Sequence, residues 1–174
     1  MDLNTAQLWI LTGARGTGKT TFCRHLAHHA SSSGWDVAGL ISPAWLDDDG
    51  KKIGILAEDL RSGEQRVLAY TTHHHGADLR LGPWHFDERV LDWGNQVIAD
   101  STPCDLLIVD ELGPLEFKVG NGLTATFDVL SEGRYRISCV VIRPSLLAEA
   151  CARWPRAKQL PITEASIQNF LLPT

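Results

Sequence analysis

No apolar run in the 174-residue chain approaches the roughly 18 residues that a membrane span needs. A spanning helix is therefore not expected. Asp2 and Asn4 stand where a secretory leader carries positive charge, and the apolar stretch Leu8–Leu11 runs straight into glycine, so an export signal is not expected either. There is no C-x-x-C pair: Cys23, Cys104, Cys139 and Cys151 are widely scattered. A domain of this length buries roughly 70 % of the surface its unfolded chain exposes and needs no disulfide or metal staple. The expectation is reduced, buried, inert thiols in a cytoplasmic protein. Positive charge is also short, with 16 Lys and Arg against 21 Asp and Glu for a net charge of −5. General nucleic-acid coats rely on clustered cations, so that class fits poorly, although a local basic patch stays open. Repeats and low-complexity stretches are missing too. The remaining composition, 44 % hydrophobic and 21 % charged, is that of an ordinary globular protein. One domain over residues 1–174 is expected.

The chain opens with a continuous apolar run, Leu8–Thr12, as expected for a strand buried on both faces. A glycine-rich loop follows. A helix is predicted from about Lys19 to Ser32, with Phe22, Leu26 and Ala30 on one face, and a second strand over Val37–Ser42. The intervening crossover is long enough for a parallel pair. Asp49-Gly50 and Ser62-Gly63 are turn signals. They divide this strand from Lys52–Asp59 and Gln65–Tyr70, which predicts an antiparallel β-meander laid on the edge of a parallel sheet. Thr71–Pro83 reads as loop. Asp87 can cap a helix through about Ala99, with Val90, Leu91, Val97 and Ile98 inward. Asp105–Asp110 is a buried strand ending in acid, and Leu112–Val119 is irregular. A helix over 122–131, a strand over Ile137–Ile142, a short helix capped by Ser145, a strand over Lys158–Pro161 and a last helix capped by Thr163 complete the chain. Buried strands alternating with helices predict an α/β fold with a mostly parallel sheet flanked by helices.

The segment Gly13-Ala14-Arg15-Gly16-Thr17-Gly18-Lys19-Thr20-Thr21 is a full Walker A match. A triphosphate must be held without leaving its charges unpaired, and consecutive backbone N–H groups converging on one hollow can replace its water. Glycines allow the positive φ such a loop needs and keep Cβ atoms out of the hollow. The following helix aims its N-terminal N–H groups at the same point. Lys19 can reach the β- and γ-phosphates, and Thr20 offers a hydroxyl to Mg²⁺. Gly13 through Thr21 are therefore the candidate nucleotide-binding residues. Leu106-Leu107-Ile108-Val109-Asp110-Glu111 has the Walker B form, an apolar strand ending in two carboxylates. Asp110 is the second candidate metal residue. Glu111, on the opposite face, can polarise a water for in-line attack on the γ-phosphorus, so Glu111 and Lys19 are the candidate catalytic residues.

Gly13–Thr21 together with Val109-Asp110-Glu111-Leu112-Gly113-Pro114-Leu115-Glu116-Phe117 resembles the THEP-type nucleoside-triphosphatases, a small RecA-like P-loop family. Gly54-Ile55 and Ser62-Gly63-Glu64 sit where that family carries its meander glycines. The resemblance covers most of residues 8–145. It implies a RecA-like sheet and slow hydrolysis of several nucleoside triphosphates, ATP and GTP among them, with Mg²⁺ as cofactor. Carried over by residue, Asp110 takes the Mg²⁺ and Glu111 is the catalytic acid. Two departures stand out. Ile55 replaces the family's aromatic, and Thr163–Asn169 lacks its Asn-Arg-Asp near the base, so the resemblance leaves base recognition unassigned.

Other groups point less directly. Arg15 lies inside the loop, and Arg143 ends a buried strand at the sheet's carboxyl edge, where open α/β sheets bind ligands. Either can face the γ-phosphate. His73-His74-His75 reads as solvated loop, and His25 with His29 lacks a third ligand for zinc. Residues 131–158 carry six bases against two acids, which leaves a docking or RNA surface open at that end. Two alternatives to hydrolysis stay open as well. One is a small-molecule kinase, with Thr71–Pro83 and its Arg80 as a lid. The other is a nucleotide-controlled binding module in which hydrolysis is only a timer.

Overall fold

A computed structural model describes residues 6–162, so the final helix expected from Thr163 lies outside the described residues. β1 (Gln7–Thr12) leads through the glycine loop into α1 (Lys19–Ser32), and β2 (Val37–Ile41) follows. Next come β3 (Ala44–Leu46), β4 (Lys52–Asp59), β5 (Gln65–Tyr70), β6 (Leu79–Leu81) and β7 (Trp84–Phe86). The chain continues with α2 (Glu88–Ala99), β8 (Cys104–Leu112), a π-helical turn (Leu115–Val119) and α3 (Ala125–Glu132). It then forms β9 (Tyr135–Ile142), a 3-10 turn (Pro144–Leu146), α4 (Leu147–Arg153) and β10 (Lys158–Pro161).

These strands share one sheet in the order β10-β1-β9-β8-β2-β4-β5-β7-β6, with β3 pairing on β4. Parallel ladders join β10, β1, β9, β8 and β2. From β2 onward the ladders are antiparallel. The meander thus extends the parallel sheet from its β2 edge, as the turn signals predict. Alternate residues of β1 explain its unbroken apolar run. Trp9 and Leu11 pack with Phe22, Cys23 and Leu26 of α1 on one face. Ile10 packs on the other, where α2 contributes Val90, Leu91 and Ile98, and α3 Val129 and Leu130. Both faces of the parallel strands are therefore covered by helices. Cys23, Cys104 and Cys139 are buried and all four cysteines are free thiols. Burial pushes the Cys23 and Cys139 thiols up, which keeps them protonated. No helix among the described residues is long and apolar enough to cross a membrane.

Several boundaries depart from the sequence expectation. β1 and β2 are not neighbours, because β9 and β8 lie between them. A crossover length fixes parallel direction, not adjacency. The predicted loop over 71–83 contains β6, which pairs with β7 to make a hairpin. Three residues, Leu79-Arg80-Leu81, are too few to show an alternation. β3 was hidden for the same reason. Ser145 lies within a turn led by Pro144, and α4 starts at Leu147 without a side-chain cap. Val97 is only partly buried, since Gly94 takes the inward position on α2.

One close approach fixes the edge that carries the chemistry. Gly39 of β2 has φ +110° and sits opposite Ile108 of β8. A Cβ at Gly39 would lie 2.0 Å from the Ile108 carbonyl oxygen. The two strands can run at this separation only with glycine there. Gly39→Ala is expected to destabilise the protein by about 3 kcal/mol or more through strain and strand displacement. Urea unfolding against the parent protein measures it.

Candidate active site

The sheet order sets the ends of β1, β9, β8 and β2 side by side. The glycine loop follows β1, Arg143 follows β9, Asp110 and Glu111 close β8, and Ser42 follows β2. Because β9 is inserted between β1 and β8, Arg143 stands between the loop and the two acids.

Gly16 and Gly18 adopt φ +83° and +81°, the left-handed conformation that the loop's curvature requires. α1 begins at Lys19 with no side-chain cap and no acid in its first turn. Its first N–H groups and positive dipole end are therefore directed at the loop's hollow. Lys19 Nζ reaches back across that hollow, donating to the carbonyl oxygens of Gly13 at 3.0 Å and Ala14 at 2.9 Å. Thr17 Oγ1 donates to the Ala14 oxygen at 2.9 Å and closes the loop on itself. Gly13 has no room for a side chain: a Cβ would stand 2.8 Å from Thr17 Oγ1 and 3.0 Å from the Ile162 oxygen. The Ile162 N–H in turn donates to the Thr12 oxygen at 2.7 Å, so Ile162, directly after β10, buttresses the loop. Arg15, Ala14 and Gly16 are exposed at the loop's outer rim, and Thr21 is exposed on the first turn of α1.

Asp110 is 2 % exposed. The Thr20 hydroxyl donates to its carboxylate, and the Ser42 N–H approaches Oδ2 at 3.5 Å. Burial pushes its pKa up to about 6; the Thr20 bond only partly offsets this, and the neighbouring Glu111 adds to it. Glu111 instead pairs with Arg143 through Nε. The β8–β9 ladder slips between Val109 and Leu112, and this irregularity sends the two acids to different partners. The Asp110–Glu111 peptide is cis. Only the strand end had been expected here, yet β8 continues to Leu112, which is fully buried.

Glu116, which the sequence places in the motif without a role, is an internal clamp. Its carboxylate accepts from the Gly113 N–H at 2.7 Å and from the Leu123 N–H at 2.9 Å, and the residue is 8 % exposed. A Cβ at Gly122 would lie 2.1 Å from Glu116 Oε1. Asn95 of α2 completes the brace: it donates to the Gly122 oxygen at 2.8 Å and accepts from the Ala125 N–H at 2.9 Å. The turn following Glu111 is thus tied to both α2 and α3. An acid set between Leu115 and Phe117 is the one sequence signal that could have exposed this. Ser42 and Lys52, the latter close to the same acids, carry no such signal.

The remaining candidates lie apart from this cluster or are engaged elsewhere. His73 pairs with Asp78 at 3.4 Å, and His74 stacks on Tyr70 with ring centroids 4.3 Å apart. His25 and His29 are on the exposed side of α1. Arg80 donates to the Gly82 oxygen within its own hairpin. In the basic run, Arg134 pairs with Glu132, Arg136 lies over Trp35, and Arg153 over Phe127.

With this geometry in hand, likeness to known proteins is specific. A family model described as NTPase matches residues 9–169. The nucleoside-triphosphatase THEP1 of Methanosarcina acetivorans is 30 % identical over 129 residues, covering 71 % of this chain and 70 % of its own length. The chain belongs to the THEP1 nucleoside-triphosphatase family. It is an enzyme of that type. The THEP1 of Methanocaldococcus jannaschii is 32 % identical over 110 residues, 62 % of each chain. The solution structure of a human cancer-related nucleoside triphosphatase shares the fold with a TM-score of 0.71, at 22 % identity over 93 % of this chain and 92 % of that one. THEP1 from Aquifex aeolicus superposes with a TM-score of 0.61 at 14 % identity, over 92 % of each.

Two tests follow from the buried acids. Asp110 has a higher pKa folded (about 6) than its ordinary value of 3.8. The folded state thus holds its proton more tightly, and stability is lost as pH rises through this window. In EDTA, the fall in unfolding free energy between pH 4.5 and 7.5 should be smaller for Asp110→Asn than for the parent by about 2 kcal/mol. Glu116→Gln, nearly isosteric, sets an amide NH₂ against one of two backbone N–H donors and should cost about 1–3 kcal/mol in the same assay.

Proposed function

We propose that the protein is a Mg²⁺-dependent hydrolase that converts nucleoside triphosphates, ATP and GTP among them, slowly to the diphosphate and phosphate. The observation that carries this reading is the hydrogen bond from Thr20 to Asp110, which joins the first turn of α1 to the end of β8. It sets a hydroxyl and a carboxylate together beside the mouth of an amide-lined loop. Mg²⁺ suits that pair. Among the described residues, the buried carboxyl of Asp110 has one hydroxyl and one distant amide as hydrogen-bond partners, and a cation would relieve the cost of its charge. Hard oxygen ligands in small number match an ion that retains most of its water. Thr20 and Asp110 would hold it, and bound there it would neutralise charge on the β- and γ-phosphates.

The chain's own groups have the following tasks. The N–H groups of Gly13–Thr21 surround the β-phosphate, and Lys19 leaves the Gly13 and Ala14 carbonyls to pair with β- and γ-oxygens. Glu111 orients a water in line with the γ-phosphorus. The water oxygen bonds to phosphorus as the bridge to the β-phosphate breaks, and the water's proton leaves toward Glu111. Before it can accept that bond, Glu111 must share or release Arg143, which supports a low rate. Arg143 is then beside the γ-phosphate and can stabilise charge there.

A phosphate-release panel over the common nucleoside triphosphates, with and without Mg²⁺ and beside Lys19→Ala, tests the reading. γ-Label should appear as free phosphate, not on a small molecule, and only with Mg²⁺. Glu111→Gln should lower turnover by roughly a hundredfold or more while keeping nucleotide affinity within a few-fold. Full turnover in that variant removes Glu111 from the mechanism.

A further inference from the structure

The meander does more than widen the sheet. β4 pairs with β2 through Leu40–Asp59 and Ile41–Glu58 only. Since β4 runs antiparallel to β2, its first half continues past the carboxyl end of β2. The Leu56 N–H bonds to the Pro43 oxygen at 2.9 Å, so Leu56 is level with the turn that carries Ser42. Lys52 is four residues further, about 13 Å beyond that level at the usual rise of a strand. β3 and β5 hold this projecting segment on its two sides. Gly54 fits because a Cβ there would lie 2.6 Å from the Trp45 ring.

Lys52 is only partly exposed. Its ammonium sits over the Trp84 ring, 4.8 Å from the centroid, which restrains a side chain that would otherwise be free. Four charged groups act on it, and all belong to the site: Arg15, Glu111, Asp110 and Arg143. Burial, and after it Arg15, pushes the Lys52 pKa down, while Glu111 and Asp110 act to hold it up. Held over Trp84 on a strand that projects past the carboxyl end of β2, Lys52 stands with Arg15 and Arg143 as a third cation beside the two acids. Arg15, Glu111 and Arg143 mark the terminal-phosphate end of the loop, opposite the β-phosphate cradle. Charge arriving there is that of the transferring phosphoryl group.

We propose that Lys52 is a catalytic cation, presented by the meander and seated on Trp84, that contacts the terminal phosphoryl oxygens of the bound nucleotide. The proposal rests on the hydrolytic reading above. It gives the meander a part in the reaction, and makes Trp84 the positioning residue behind Lys52.

The experiment compares Lys52→Met and Lys52→Arg with the parent enzyme, using Mg²⁺-ATP turnover and the affinities of ADP alone and ADP with aluminium fluoride. Lys52→Met should lower kcat roughly ten- to hundredfold and weaken ADP–aluminium fluoride by a similar factor, with ADP affinity within about threefold. Lys52→Arg should recover most of both losses. Unchanged kcat in Lys52→Met overturns the proposal, as does an equal loss of ADP and ADP–aluminium fluoride affinity. If Lys52→Met melts early, Trp84→Leu supplies the second variant. It should lower kcat and ADP–aluminium fluoride affinity together and spare ADP, and sparing all three overturns the proposal. Parent enzyme releasing no phosphate with Mg²⁺ would instead count against the hydrolytic reading itself.

Discussion

The structure depends most on the burial of one carboxyl group. Asp110 lies near the carboxyl end of β8, an inner strand of the parallel sheet, at 2 % exposure, in a setting that disfavours its charge. Three elements must be in register for it to be tolerated at all. α1 supplies the Thr20 hydroxyl, the turn after β2 the Ser42 amide, and β8 the acid. Gly39 lets β2 come close enough to β8, and the glycine loop delivers the start of α1. On the function proposed above, stability lost to that buried group would return as affinity for Mg²⁺.

Around it, charges are arranged in layers with different freedoms. Lys19 is tethered within the loop, while Glu111 and Arg143 neutralise one another at a half-exposed rim. Glu116, although an acid near the same turn, is withdrawn from chemistry by two backbone donors and serves as a strut. Three acids within seven residues, Asp110, Glu111 and Glu116, therefore have three fates, and environment rather than residue type decides among them.

Much of this was legible in the sequence because it is local. The Walker A loop, the both-faces-buried β1, and α2 with its Asp87 cap at Arg89 follow from short-range rules. The α/β class and the antiparallel meander followed from alternation and turn signals. What stayed hidden is non-local. Adjacency in the sheet cannot be read from a crossover, so the insertion of β9 between β1 and β8, which gives Arg143 its place, appears only in three dimensions. Lys52 is far from Glu111 along the chain, and nothing in Gly50-Lys51-Lys52-Ile53 separates it from a solvated lysine. Short strands such as β3 and β6 lack the length for a period to register.

The sheet's borders have a bearing on how the molecule behaves in company. Among the described residues the main path ends at β6, three residues long and followed by Gly82, and at β10, four residues ending in Pro161, which has no N–H to offer; β3, the branch on β4, is also only three residues long. A broad parallel sheet is a template on which stray chains could add rung by rung, and such growth needs a long, flat, hydrogen-bonding rim. These rims are cut short, so among the described residues the largest element of the enzyme is poorly suited to recruiting a further strand.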